Sequence, residues 1–153
     1  MQFSFEFLKN HYKIECGSVY GGEIFAKDGS PHKAVVFYVS KETDCVYTFC
    51  ITSQEKTIRR FEQIDCKASV VELPFDVIKE LYNDDKSSWI YCGKSNIGKI
   101  PLDDFIKALS EHHIKPYKKL NETLFSEIVL AAHASITYSE DDLVEIGLAK
   151  ISD

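Results

Sequence analysis

Few side chains in this sequence have the type and spacing to do chemistry. His32 stands beside Lys33, which places an imidazole that titrates near neutral pH next to an ammonium. Such a pair can move a proton and hold an anion; it reads equally as an exposed turn histidine next to a solvated lysine. Lys56, Arg59 and Arg60 form a second basic group, suited to a phosphate backbone. Glu55 and Glu62 flank it and dilute its field, so a solvated loop accounts for it as well. His112 and His113 are adjacent, so on a helix they point about 100° apart and cannot share one metal ion. Asp103-Asp104, Asp84-Asp85 and Asp141-Asp142 fall where helices should start or end, and read as dipole or capping acids. Five cysteines (16, 45, 50, 66 and 92) show no CxxC spacing and are expected to be free structural thiols. There is no P-loop, GxGxxG, GxSxG or HExxH, and no cofactor or metal is expected.

The charge is unevenly spread. Residues 1–120 carry 17 of the 18 basic and 17 of the 24 acidic side chains. Residues 121–153 set Glu122, Glu127, Glu140, Asp141, Asp142, Glu145 and Asp153 against Lys150 alone. The net charge of −6 argues against non-specific nucleic-acid binding, so any RNA must meet a local basic patch in the first 120 residues. No apolar run reaches the roughly 18–20 residues that span a bilayer. The N-terminus lacks a basic stretch followed by an apolar one, so a cytoplasmic location is expected.

The elements that would position these groups are mostly strands. Segments 16–26, 33–40 and 45–52 are rich in Val, Ile, Tyr, Phe and Thr, and are parted by Asp28-Gly29-Ser30-Pro31 and Lys41-Glu42-Thr43-Asp44. Segments 68–73, 88–92 and 97–100 continue the sheet, while 3–10, with Phe3, Phe5 and Phe7 alternating, is an edge strand or a short helix. Pro74 opens a helix with Phe75, Ile78, Leu81 and Tyr82 on its apolar face. After Pro101, Leu102, Phe105, Ile106 and Leu109 form another apolar stripe. Asn121 caps a helix to about Ile136, and Ser139 with Asp142 reads as a capping box for a last one. The class is α+β: one domain over 1–153, with a small curled barrel and short helices in 16–109 and an acidic helical extension in 110–153.

Five segments in order carry a resemblance. Gly17-Ser18-Val19-Tyr20, Lys33-Ala34-Val35-Val36, Ile51-Thr52-Ser53-Gln54, Val70-Val71-Glu72-Leu73-Pro74 and Ser87-Ser88-Trp89-Ile90-Tyr91 resemble the MazF/PemK-like toxin endoribonucleases across about residues 16–109. The resemblance implies an SH3-like barrel and metal-independent cleavage of single-stranded RNA by attack of a ribose 2′-OH. The family generally uses an Arg and a Thr, which fall here on Lys33 and Thr52. Lysine is a departure: ammonium is a hydrated point charge, whereas guanidinium grips two phosphate oxygens in a planar fork. On this reading Lys33 binds the scissile phosphate, Thr52 positions and stabilises, and His32 is the acid–base group. Ser53, Gln54, Lys56, Arg59 and Arg60 would line the RNA channel.

The resemblance also implies a homodimer and an antitoxin-like protein partner lying across the groove, with no membrane. The acidic end would cover that groove or offer a partner surface. The alternative is a non-catalytic protein-interaction module that keeps the barrel without the chemistry.

Overall fold

The computed structural model describes residues 4–25 and 30–148. Phe3, Ala26, the Asp28-Gly29 turn, Lys150 and Asp153, all used above, lie outside them. In chain order the elements are α1 (Phe5–His11), β1 (Ser18–Gly22), β2 (His32–Ser40), β3 (Cys45–Thr52), α2 (Glu55–Ile64), β4 (Val70–Leu73), α3 (Phe75–Tyr82), β5 (Ser88–Tyr91), β6 (Ile97–Pro101), α4 (Leu102–Ser110), β7 (Lys115–Lys119), α5 (Glu122–Ala134) and α6 (Glu140–Glu145). Short 3₁₀ turns at Glu23–Phe25, Lys67–Ser69 and Lys94–Asn96 join them. No helix among the described residues is long and apolar enough to cross a membrane.

The class is α+β, built on a seven-stranded antiparallel sheet in the order β4-β5-β3-β2-β1-β7, with β6 also paired to β3. Both faces of its centre are covered. On one face Val35, Phe49, Ile51 and Leu73 pack with Ile78 of α3, Leu124 and Ile128 of α5, and Ile146 and Leu148 after α6. On the other face Ala34, Val36 and Val46 pack with Phe105, Ile106 and Leu109 of α4. A strand buried on both sides has no solvent face to mark with polar residues, which is why β2 reads as a nearly unbroken apolar run.

Two expectations change. The sheet does not close into a barrel: β4 and β7 are its ends, and no strand pairing joins them among the described residues. What meets there is side chain against side chain, Tyr82 of α3 against Tyr117 of β7 with ring centres 5.6 Å apart. The span 110–153 is also not only helical, since β7 lies within it and pairs with β1. Its sequence, KPYKK, hides it: an edge strand that carries lysines and a proline is protected against further pairing but looks like a loop.

The acidic end contributes to the core. Leu124, Ile128, Ala131 and Ala132 of α5 are buried, as are Ile146 and Leu148 beyond α6. Asn121 accepts from the Leu124 N–H, and the Ser139–Asp142 capping box forms in both directions. Segment 3–10 resolves as helix α1, capped by the Ser4 side chain accepting from the Phe7 N–H. The strand expected over 16–26 is shorter, ending at Gly22 before a 3₁₀ turn.

Candidate nucleic-acid interface

Antiparallel register decides which candidate residues can work together. Lys33 pairs with Ile51 on one side and Gly21 on the other. Successive side chains in a strand point to opposite faces. Lys33 therefore shares the face of Val35 and Ile51, where α3 and α5 pack, while Thr52 projects from the other face with Cys50. His32 and Thr52, each one residue beyond the Lys33–Ile51 pair, share that second face. The resemblance asks Lys33 and Thr52 to act on one phosphate; the sheet lies between their side chains.

The structure gives Lys33 different company. Its Nζ lies 4.4 Å from the ring centre of Tyr82 and 5.8 Å from that of Tyr117. Lys115 Nζ sits 5.2 Å from the Tyr117 ring. The Tyr117 ring lies over Gly21, where a Cβ would come within 2.9 Å of Cε2, so the absence of a side chain makes room for the aromatic. Burial pushes the Tyr82 phenol up, keeping it neutral as a face for a cation or a base. Asp84 sits at the margin of the group; its carboxylate is held below the usual range, first by the Asp85 N–H and also by the charge of Lys33. The result is a cluster of two ammonium groups and two phenol rings, drawn from β2, α3 and β7.

The other candidates are engaged locally. Thr52 Oγ1 accepts from the Gln54 N–H at 3.1 Å, closing the turn that leads into α2. Gln54 is the N-cap residue of α2 but makes no side-chain cap bond, and Ser53 and Gln54 are exposed. The stretch expected to be a basic loop is this helix: Ile58 is buried and Phe61 stacks on Tyr91 at 4.1 Å. Arg59 bridges Glu55 at 3.0 Å and Glu62 at 2.5 Å, one helical turn before and after it. Those bonds, Glu55's first, hold its guanidinium well on the charged side. Lys56 and Arg60, four residues apart, share an exposed stripe of α2 and form no ion pair among the described residues. His32 is exposed, with its Nε2 3.1 Å from the Ser30 hydroxyl.

The remaining chemistry-bearing groups are structural. All five cysteines are free thiols, and burial pushes Cys92 far up and Cys50 up. No group of three or more potential metal ligands occurs among the described residues. His112 and His113 lie beyond the end of α4 rather than on it. His112 takes φ +63°, and the N–H groups of His112 and His113 close back on Leu109 and Ala108, a Schellman turn with histidine where glycine is usual.

The aromatic–cation cluster was missed in the sequence for one reason. Lys115-Pro116-Tyr117-Lys118-Lys119 interleaves basic and aromatic residues, itself a nucleic-acid signal, but only the β1–β7 pairing brings it beside Lys33. No protein-family model matches this chain, and no curated protein is significantly similar to it.

Proposed function

We propose that this chain is a MazF/PemK-like protein that binds single-stranded RNA at the Lys33–Tyr82–Tyr117 cluster and cuts it weakly or not at all. The observation that carries this is the seating of the Lys33 ammonium over the Tyr82 ring, with Lys115 over Tyr117. Cations hold phosphates and phenol rings stack unpaired bases, the combination that single-stranded RNA sites use. In this reading the curled sheet is an opened relative of an SH3-like barrel, with α3 and β7 meeting through tyrosines where strands would otherwise pair. A cytoplasmic setting, a second copy of the chain and an antitoxin-like partner belong to the same reading, and the last two rest on the resemblance alone.

Weak cleavage follows from geometry. In-line attack by a 2′-OH needs a base, an acid and charge stabilisation around one phosphate. Lys33 supplies charge on one face, while His32 and Thr52 sit on the other, and the Thr52 hydroxyl already accepts a turn hydrogen bond. The test is binding and cleavage of a fluorescein-labelled unstructured RNA in EDTA, for the wild type, Lys33→Ala and Thr52→Ala. Binding lost in Lys33→Ala and kept in Thr52→Ala supports the reading; equal binding by all three overturns it. Efficient cutting abolished by either change would restore the catalytic roles of both residues.

A protein-interaction module without RNA is the second reading. It is favoured by the internal pairing of Arg59 with Glu55 and Glu62, which removes one of the cations expected to face RNA. Absence of RNA binding by the folded wild type would select it.

A further inference from the structure

We infer that the groove between β4 and α5 is a docking site for an extended segment of a partner protein that alternates apolar and basic residues. The groove has a volume of about 530 Å³. One wall is the sheet edge, Ala68 and Val70 to Glu72; the other is a single stripe of α5, Glu127, Leu130, Ala131 and Ala134. That stripe is the i, i+3, i+4, i+7 set of one helical face, so the walls run side by side for about 10 Å, the length of three or four extended residues.

Three independent features point to the occupant. The first is the backbone. β4 pairs only with β5, so one edge of it has no strand neighbour among the described residues. The Ser69 carbonyl already accepts from the Cys92 N–H, and alternation along an antiparallel pair then turns the N–H and C=O groups of Val70 and Glu72 outward, toward the groove side. An extended chain laid there gains main-chain hydrogen bonds by adding a strand.

The second feature is apolar exposure. Leu130 is 67% exposed, Ile136 73% and Ile64 62%, the three most exposed large apolar side chains among the described residues. All three belong to this corner. Leu130 lines the groove, Ile136 follows the end of α5, and Ile64 ends α2. The third feature is charge. Glu72 and Glu127 both line the groove, no cation lines it, and neither carboxylate has an ion-pair partner among the described residues. Along an added strand, side chains turned toward α5 would pack on Leu130 and Ala131, and the intervening lysines or arginines would meet Glu72 on the opposite face, with Glu127 adding to the negative field.

The walls are held in place before anything binds. Asp65 accepts from the Ile136 N–H at 3.0 Å and from the Ser135 hydroxyl, and the Cys66 thiol donates to the Ala134 carbonyl at 3.4 Å. These bonds tie the end of α5 to the segment entering β4, so a ligand meets a formed slot and loses less on ordering it. No residue that lines the groove belongs to the RNA cluster, so each site can be altered without touching the other.

The probe is a fluorescein-labelled hexapeptide alternating lysine and valine, compared with its glutamate–valine counterpart, titrated into the whole chain at low salt. The lysine peptide should bind and slow exchange of the Val70 and Glu72 amides, while the glutamate peptide should not bind. Leu130→Lys and Glu127→Lys place cations at exposed positions, leave the core intact and should each weaken binding about tenfold. Leu130→Ala, which adds no charge, should weaken it less. Equal binding of both peptides, no change in the lysine variants, or unprotected β4 amides would overturn the inference. So would concentration-dependent self-association of the protein alone that protects the same amides, because a second copy would then be the occupant.

Discussion

The Tyr91 hydroxyl donates to the Asp65 carboxylate at 2.6 Å, and the same carboxylate receives the Ser135 hydroxyl and the Ile136 N–H. One side chain at the end of α2 thereby joins β5 to the end of α5. Burial alone would raise the Asp65 carboxyl, but its hydrogen bonds from Ser135, Tyr91 and Ile136 outweigh burial and hold it below its ordinary value. Burial first, and then Asp65, push the Tyr91 phenol up to about 12.

The two shifts act at opposite ends of the pH scale. A carboxyl lowered by folding stabilises fully above its unfolded pKa near 4, and that contribution is lost as pH falls through the folded value. A phenol raised by folding stabilises fully below its unfolded pKa near 10, and that contribution is lost as pH rises through about 12. Asp65→Ala should cost about 1–3 kcal/mol at neutral pH, because it takes this acceptor from the Tyr91 hydroxyl and the Ile136 N–H, while the Ser135 hydroxyl keeps Thr137 Oγ1 at 2.8 Å. Urea unfolding from pH 3 to 8 should show the wild-type advantage shrinking toward the acid end.

Lys33→Ala and Tyr82→Ala should each lower affinity for single-stranded RNA, by about fivefold to tenfold. Lys33→Ala should also reduce the salt slope of binding by roughly one phosphate's worth, whereas Tyr82→Ala should leave the slope unchanged. Anisotropy titrations at several salt concentrations separate the two effects. Arg59→Ala should leave RNA affinity unchanged, since its guanidinium already serves Glu55 and Glu62.

Gly22→Ala tests how closely β1 approaches the turn before β7. A Cβ there would lie 2.8 Å from the His113 carbonyl oxygen, a backbone atom with little room to move. A loss of about 1–3 kcal/mol is expected in denaturant unfolding.

Thr48 runs the other way. It is 1% exposed, and its hydroxyl is the one buried side-chain polar atom without a hydrogen-bond partner among the described residues. Thr48→Val removes that orphan at nearly constant shape, so stability should change by less than about 0.5 kcal/mol or rise. A clear loss would mean that the hydroxyl has a partner in solution.

Deleting residues 121–153 should abolish cooperative unfolding rather than uncover a groove. The deleted part includes Ile128 and Ala132, both 0% exposed. Circular dichroism and a thermal scan suffice to check this.

The elements that announce themselves were legible in the sequence. β2 and β3 are dense in β-branched and aromatic residues, Pro74 and Asn121 mark helix starts, and the Ser139–Asp142 box forms as its spacing implies. Helix α2 escaped because its N-cap, Gln54, makes no side-chain capping bond and half of its ten residues are charged. Strand β7 escaped because protection of an edge erases the strand pattern. The site was legible as residue types but not as an arrangement. Whether Lys33 and Thr52 share a face depends on the parity of β2 against β3, and a one-residue slip would reverse it.

The pairing of β1 with β7 joins Ser18 to Lys119 across most of the chain. During synthesis the outer edge of β1 therefore stays open until the lysine-rich strand has emerged. The N-terminal half cannot complete its sheet by itself; in that interval it offers unpaired backbone to any neighbouring nascent chain. Interrupted synthesis before β7 should thus yield aggregates, where interruption of an N-terminal domain with only local contacts would yield a folded fragment.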